Sequence, residues 1–478
     1  MPALTDRAAS LSAPCRLGVR SSLLLLVLTG LYVMLTLYFP PLVRYGMLAA
    51  LALAVLFVCF PRPSAWLLTV PLLVLLGGRN FALGDFFPAY LTVGLFAFFV
   101  FYALDRIVWD EPLPALSRPL RLVLAALLLQ ATSIVASIHL HGQLPINAIR
   151  EGSGAFMFAP LAFVTADLCR DRDRLLKLSR TWTAVLLVAG LIGVLEYLSI
   201  TGYSRTDLSL GFVYRGRVAS LLGNPNVFAG FLEITAPLAL ALAFSERSLP
   251  WRILGFSATL TAVLSVLYTF SRGGLLAIGI GCGTVLAIRF RRRLWLPALI
   301  MAAFAFLLIR NAETFERQMS FFLDPGSQLS QPSLLHRYVT YQGLWHEFSS
   351  SPLTGLGWGA REFYWGRTQI YTFWAIRHAA SSTPIPTFGG LNSIVLSFAV
   401  KGGLVSLAAL LLVGTAVLSA FRRSRNRAEF PWGVGIPAGL LGMSVHQLMD
   451  NFLQWPQISS VFWMFLGMLV AAGGRRKE

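Results

Sequence analysis

Charged residues are scarce in this sequence. Only 13% of its 478 residues are Asp, Glu, Lys or Arg, while 56% are hydrophobic and the mean hydropathy is +0.68. Soluble domains contain about 25% charged residues, and so few polar side chains cannot cover globular domains of this size. The composition therefore excludes a soluble multidomain protein and indicates that most of the surface faces lipid.

Acidic residues are the scarcer of the two charged classes. The sequence has 21 acidic and 39 basic side chains, which corresponds to a net charge of +18. A nucleic-acid-binding protein carries such an excess on a soluble basic face, but here the basic residues cluster in short polar stretches between apolar runs. We therefore expect no nucleic acid as a partner.

Metal-binding and disulfide patterns are also missing. The 4 cysteines lie in predicted membrane or cytoplasmic segments, so no disulfide framework is indicated. The sequence has no Cys/His metal spacing, His-Glu-x-x-His, P-loop or Gly-x-Ser-x-Gly pattern. The Asp-x-Asp pair at Asp171 and Asp173 lies in an arginine-rich loop that we predict to be cytoplasmic. We therefore predict no metal and no cofactor.

Long apolar runs are what the sequence has in abundance. A helix needs about 20 apolar residues to cross a bilayer, and recurring runs of about that length predict an all-α, polytopic integral membrane protein with about 12–14 transmembrane helices. The predicted spans are 21–39, 42–60, 64–77, 86–104, 119–138, 148–168, 181–200, 226–244, 252–270, 272–289, 294–310, 391–420, 432–449 and 457–473.

The positions of the basic residues predict the orientation of these spans. Short cytoplasmic loops hold an excess of Lys and Arg. With both termini in the cytoplasm, about 25 of the 39 basic residues lie in cytoplasmic loops and tails. The remaining residues, about 14, lie on the external side or in helices there, where this rule does not explain them.

One long connection interrupts the series of spans. Residues 311–390 form a large external loop in this topology, far longer than a typical connection, and their many aromatic residues favour a folded cap. The chain then divides into N-terminal transmembrane helices (1–180), a transmembrane core with arginine motifs (181–310), this loop (311–390) and C-terminal transmembrane helices (391–478).

Two arginine motifs lie at the external ends of predicted spans. Arg215 and Arg217 precede a Gly-Asn-Pro-Asn turn at 223–226, with Asn226 as the expected N-cap of the next helix, and Arg272 lies in a Ser-Arg-Gly-Gly sequence. A helix N-terminus attracts anions, and the guanidinium fork suits phosphate. The motifs therefore indicate an anion site, although arginines that anchor helices at the membrane interface are the alternative.

Several acidic and histidine side chains accompany these motifs in the neighbouring spans. Glu233 and Glu196 are possible counter-ions to the arginines, and we interpret them as structural partners rather than catalytic bases. His446 and Asp450 lie one helical turn apart and are predicted to form a packing or hydrogen-bonding pair.

The long loop and the start of the next span add further polar candidates. They are His336, Arg337, Arg361, Arg377, His378 and Asn392. Histidine suits proton transfer near neutral pH, and an ordinary loop histidine is the alternative. The sequence at 351–359 contains alternate glycines and predicts a backbone turn rather than a nucleotide-binding loop.

Taken in order over residues 181–470, these motifs resemble the O-antigen ligase/O-antigen polymerase superfamily of bacterial membrane glycosyltransferases. The resemblance rests on the following motifs: Arg217 with Gly223-Asn224-Pro225-Asn226, Ser271-Arg272-Gly273-Gly274, His336-Arg337, the sequence Ser-Pro-Leu-Thr-Gly-Leu-Gly at 351–357, Asn392-Ser393 and Gly402-Gly403-Leu404. Each motif is short, but their order around a large external loop is fairly specific.

The resemblance implies a GT-C-like, metal-independent transferase in the bacterial inner membrane, which moves a glycan from undecaprenyl diphosphate on the periplasmic side. The acceptor would be a second lipid-linked glycan in a polymerase and lipid A–core in a ligase. We expect Arg217 and Arg272 to stabilise the leaving diphosphate and His336, which directly precedes Arg337, to act as the base. The residues expected to bind substrate are Arg215, Asn224, Asn226, Arg337, Arg361, Arg377, His378 and Asn392.

The sequence departs from the family pattern at one position. Ligases of this family typically carry a histidine just after the large loop, where this sequence has Leu391. Leucine cannot take a proton, so the departure favours a polymerase or related polysaccharide transferase, with a ligase as the alternative. A transporter or flippase for a lipid-linked sugar is a third possibility, but the sequence lacks the internal symmetry typical of transporters.

Overall fold

The structure is a computed structural model of the chain. It describes residues 67–76, 116–198, 217–292, 347–359, 393–425 and 429–474, together with single residues at 95, 98, 99, 102, 103, 106 and 345. Contacts divide the chain into residues 1–61 and 62–478, and every described residue belongs to the second unit.

The described residues form helices and turns, and no β-strand occurs among them. The α-helices are α1 (Val70–Leu76), α2 (Arg118–His141), α3 (Pro145–Ser153), α4 (Pro160–Leu168), α5 (Arg172–Leu198), α6 (Pro225–Ser245), α7 (Leu249–Tyr268), α8 (Arg272–Arg289), α9 (Ile394–Ser424), α10 (Ile436–Gln447) and α11 (Pro456–Gly474). A π-helical turn, Pro431–Gly435, leads directly into α10.

Within these described ranges, 7 helices are long and apolar enough to cross a membrane. They are α2, α5, α6, α7, α8, α9 and α11. This confirms the prediction of an all-α, polytopic membrane protein. The predicted spans at 21–39, 42–60 and 294–310 lie outside the described residues, so the total number of spans stays a prediction.

Helices α6 and α11 occupy the centre of the described bundle. In each of them 94% of the membrane-spanning window is buried, whereas α2 and α9 bury only 28%. A helix that is apolar on all sides is buried in protein or in lipid, and α6 is surrounded by α5, α7, α8 and α10. The polar residues of α6 therefore lie in the interior of the protein.

The predicted span at 148–168 is wrong as a single helix. The structure has two short helices there, α3 and α4, separated by a turn at 154–159. Pro160 is the first residue of α4. Proline is well placed at the first helical position and poorly placed inside a helix, because it lacks an N–H group, so the apolar run is divided at this residue.

Candidate active site

The segment that carries Arg217 is held against the ends of two helices. The Val218 amide donates to the carbonyl of Tyr268, the last residue of α7, at 2.9 Å. Glu196 lies near the end of α5. Its Oε2 accepts from the backbone amides of Ala219 at 3.1 Å and Ser220 at 2.7 Å. The carboxylate of Glu196 therefore fixes the backbone beside Arg217, and its suggested role as a counter-ion to the arginines stays a prediction.

Acceptors after α7 and at the start of α6 hold the guanidinium of Arg217. Its Nε donates to the Thr269 carbonyl at 2.7 Å, and its Nη2 donates to Asn226 Oδ1 at 2.7 Å. Thr269 follows α7 and Asn226 lies in the first turn of α6, so the guanidinium bridges these two helices. Hydrogen bonds from a charged donor are stronger than neutral ones, and this pair fixes the plane of the arginine fork.

The N-cap of α6 is Asn224, and the prediction that Asn226 would be the cap is wrong. Asn224 Oδ1 accepts from the amide of Asn226 at 2.9 Å and from the following amide at 3.3 Å. Because Pro225 occupies the first helical position, the cap is the residue before it. Asn226 instead links two charged groups, since it accepts from Arg217 and its Nδ2 donates to Asp450 Oδ2 at 3.5 Å.

Arg272 begins α8 at the same end of the bundle. The cap of α8 is Ser271, whose Oγ accepts from the amide of Gly274 at 3.3 Å. The Ser271 amide donates to the Thr269 hydroxyl at 3.1 Å, and the carbonyl of the same threonine accepts from Arg217. The two arginine motifs are therefore connected through Thr269, beside two helix N-termini that favour anions.

A buried acid–histidine pair lies next to these motifs. His446 Nδ1 and Glu233 Oε2 are 2.6 Å apart, and their side chains are 2% and 0% exposed. Glu233 therefore pairs with a histidine, whereas the sequence had suggested the arginines as its partners. The predicted proximity of His446 and Asp450 is found, with 3.9 Å between Nε2 and Oδ2. Sequence reasoning missed that Asp450 belongs to the Arg217 cluster.

The predicted turn at 351–359 closes a break in α9. The helix departs from helical geometry at Gly403, where φ is 61° and ψ is −157°. The Leu356 amide donates to the Val400 carbonyl at 2.7 Å, and the Leu404 amide donates to a carbonyl of the turn at 2.8 Å. The turn therefore satisfies backbone groups that the break deprives of partners, as a membrane interior requires.

Side chains anchor the same turn. Trp358 is fully buried and its Nε1 donates to Ser133 Oγ of α2 at 3.0 Å. Glu151 of α3 accepts from the Gly359 amide at 2.7 Å and also binds the ammonium group of Lys401. The described part of the predicted external loop is thus packed between α2, α3 and α9.

A second polar cluster lies at the other end of α5. Asp167 forms ion pairs with Arg106 and Arg170, and it lines a cavity of about 370 Å³ together with Arg423. The 27 residues of α5 correspond to a length of about 40 Å. This cavity is therefore remote from Arg217 and is not part of the candidate active site.

The other predicted site residues lie outside the described residues, so their roles stay predictions. They are Arg215, His336, Arg337, Arg361, Arg377, His378 and Asn392. In the part of the chain that the structure describes, no group of three or more His, Cys, Asp and Glu side chains is arranged to hold a metal ion.

The fold and the cluster define a polytopic helical membrane protein with paired arginine motifs at one end of its core. A family model described as O-antigen ligase matches residues 256–411. The matched range contains Arg272, the turn at 351–359 and the break at Gly403, while Arg217 and Asn226 precede it. The match confirms the resemblance to the O-antigen ligase/O-antigen polymerase superfamily. No curated protein matches the chain.

Proposed function

We propose that this protein is a metal-independent glycosyltransferase that takes a glycan from undecaprenyl diphosphate at the periplasmic face of the bacterial inner membrane. The observation that carries the proposal is the connection, through Thr269, of Arg217 to Ser271, the residue before Arg272, beside the N-termini of α6 and α8. The family match over residues 256–411 supports it independently.

The chemistry of the reaction explains why fixed arginines are needed. When the bond between the sugar and the diphosphate breaks, negative charge develops on the leaving diphosphate. Donors that are already oriented stabilise this charge without reorganising during the reaction. Arg217 meets this requirement because the Thr269 carbonyl and Asn226 hold its guanidinium. We propose Arg217 and Arg272 as the diphosphate clamp.

The remaining residues of the proposed site come from the sequence. We propose that substrate is also bound by Arg215, Asn224, Asn226, Arg337, Arg361, Arg377, His378 and Asn392. From motif order alone, His336 is the candidate for the base that activates the acceptor hydroxyl. The aromatic side chains of the loop are suited to cover sugar rings.

The proposed orientation places both termini in the cytoplasm. Arg170 precedes the start of α5 at Arg172, Arg174 lies in its first turn, and the turn between α6 and α7 at the same end carries Arg247. An excess of arginine marks the cytoplasmic side. The opposite end, with Arg217, would then face the periplasm.

A transfer assay with purified protein tests the function. We expect transfer from an undecaprenyl-diphosphate-linked glycan, reduced about 10²- to 10³-fold in Arg217→Ala and in Arg272→Ala, as for loss of one charge-stabilising donor. Arg252→Ala, at the exposed start of α7, is the matched control. Full transfer by both site variants would disprove the diphosphate clamp.

A deletion strain separates the two acceptor classes. We propose the polymerase activity first, because Leu391 replaces the histidine expected in ligases. A strain without the protein should then attach glycans of a single repeat. Accumulation of long lipid-linked chains would instead identify a ligase that uses lipid A–core. Transport of the lipid-linked sugar by proteoliposomes without any glycosidic product would identify a transporter.

A further inference from the structure

A line of polar side chains joins the interior of the bundle to Arg217. Glu233 Oε2 lies 2.6 Å from His446 Nδ1, and His446 Nε2 lies 3.9 Å from Asp450 Oδ2. The same Asp450 oxygen is 3.5 Å from Asn226 Nδ2. Asn226 Oδ1 then accepts from Arg217 at 2.7 Å. The line therefore connects a fully buried acid to the proposed diphosphate clamp.

The inner end of this line is the buried side chain of Glu233. Glu233 is 0% exposed, and its Oε1 has no hydrogen-bond partner among the described residues. An isolated buried carboxylate is strongly unfavourable, so the short contact with His446 has to compensate, either as an ion pair or as a neutral hydrogen bond. In both cases the contact at Nδ1 directs the opposite nitrogen, Nε2, towards Asp450.

The imidazole of His446 is also confined by packing. A Cβ atom at Gly273 would stand 2.2 Å from Cδ2 and 2.4 Å from Nε2 of the ring, so the first turn of α8 touches the imidazole directly. The ring of Phe452 packs edge-on against it, with 4.5 Å between the centroids. Gly273 and Phe452 therefore restrict the rotation of the imidazole.

Exposure decreases along the line towards the interior. The side chain of Asp450 is 17% exposed, that of His446 is 2% and that of Glu233 is 0%. Asp450 is therefore the most exposed member of the line, and it lies beside the Asn226 side chain that holds Arg217.

Resting on the glycosyltransferase function proposed above, but with a base other than His336, we propose that Asp450 is a catalytic residue that accepts the proton of the acceptor hydroxyl. His446 and Glu233 are positioning residues that orient it. The acceptor oxygen forms a bond to the anomeric carbon, the bond from this carbon to the diphosphate oxygen breaks, and its electron pair stays on the diphosphate. The hydroxyl proton passes to Asp450.

The charges of the side chains near Asp450 suit this proton transfer. His446 lies beside Asp450 and pairs in turn with Glu233. Arg217 shares the Asn226 side chain with Asp450, and Arg272 begins α8 nearby. Protonation removes the negative charge of Asp450 while negative charge develops on the diphosphate. The cluster thus becomes more positive during the same step, which stabilises the leaving group.

The decisive variant is Asp450→Asn, measured in the transfer assay with an undecaprenyl-diphosphate-linked glycan. Asparagine keeps the shape of the side chain and can still accept from Asn226, but it cannot take the proton. We expect kcat to fall about 10²- to 10⁴-fold, the usual contribution of a general base, with the donor KM within about threefold. We also expect kcat of the wild type to fall at acid pH, because a protonated carboxylate cannot accept the proton, and we expect this fall to be absent in Asp450→Asn.

Controls and positioning variants complete the experiment. Asp171→Asn changes an exposed carboxylate at the far end of α5 and should leave kcat unchanged. Glu233→Gln and His446→Gln should each lower kcat about tenfold, and the double variant should lose no more than either single one, because both act through the same contact. Thermal unfolding of each variant identifies any loss of the fold.

The outcomes separate this inference from the proposed function. If wild type transfers glycan and Arg217→Ala does not, but Asp450→Asn keeps kcat within about threefold, only the role of Asp450 is wrong. A large loss in His336→Gln together with an active Asp450→Asn would assign the base to the loop. If wild type transfers no glycan to any acceptor, the proposed function itself fails. If the His446 and Glu233 variants do not fold, Asp450→Asn alone decides whether Asp450 accepts the proton.

Discussion

The backbone nitrogen of Gly355 lies 2.6 Å from the position that a Cβ atom on Gly403 would occupy. Both glycines have positive φ angles, 67° and 61°. The turn at 351–359 can therefore enter the break in α9 only because neither residue carries a side chain. This contact joins two segments that the sequence shows as a loop and a membrane span.

Gly403→Ala should destabilise the protein. The conformation at this position is one that only glycine adopts easily, and such backbone strain amounts to about 1–3 kcal/mol. The new methyl group would also stand 2.4 Å from backbone atoms of Leu353. Thermal unfolding in detergent should show a lower Tm. Gly414→Ala is the control, because a Cβ atom at this position of the same helix would have nothing within 4 Å. It should keep or raise the Tm. Equal Tm values for the two variants would contradict the contact between the turn at 351–359 and α9.

Trp358→Ala should remove an anchor of the same turn. The side chain is fully buried, and its indole N–H donates to Ser133 at 3.0 Å. Truncation of a buried tryptophan costs about 3–5 kcal/mol, so we expect a large decrease in Tm. Trp345→Ala, at a position that is 65% exposed, should change stability by no more than about 0.5 kcal/mol. Similar losses in both variants would show that the turn is not held through Trp358.

Glu151→Gln should destabilise the protein through Lys401. The two side chains are 21% and 13% exposed, and an unsatisfied charged group in such a place costs about 1–3 kcal/mol. Replacing both residues, as Glu151→Gln with Lys401→Met, should restore part of the loss because the ammonium group is also removed.

A surface ion pair provides the control for this prediction. Glu429 pairs with Arg172, and their side chains are 46% and 54% exposed. Exposed pairs contribute about 0–1 kcal/mol, so Glu429→Gln should have little effect on the Tm. A loss in Glu429→Gln as large as that in Glu151→Gln would argue against a special role for the pair in α3 and α9.

Asn226→Ala should impair transfer more than stability. The amide oxygen of Asn226 holds Arg217 at 2.7 Å, and hydrogen bonds to charged groups contribute about 1.5–3 kcal/mol, which corresponds to about 10- to 100-fold in kcat/KM. Ser444→Ala removes a hydroxyl that donates within α10 and is the control. An Asn226→Ala variant with unchanged kcat/KM would show that Arg217 needs no fixed orientation.

Much of the fold could be predicted from local sequence. The start of α8 at Arg272 and the spacing of His446 and Asp450 follow from the capping serine and from one helical turn. Two local predictions were wrong: Asn226 is not the cap of α6, and residues 148–168 are not one helix. In both places a proline marks the first helical residue, and the rule that proline favours that position would have placed the boundary correctly.

By itself, the sequence determined that this is a polytopic helical membrane protein, because lipid requires apolar runs of about 20 residues whose backbone bonds are satisfied within each helix. Only the tertiary structure decided which polar groups meet. Glu233 and His446 are 213 positions apart, and Glu151 and Lys401 are 250 apart. No local pattern encodes such pairs, because they depend on how the helices pack and on which buried charge needs a partner.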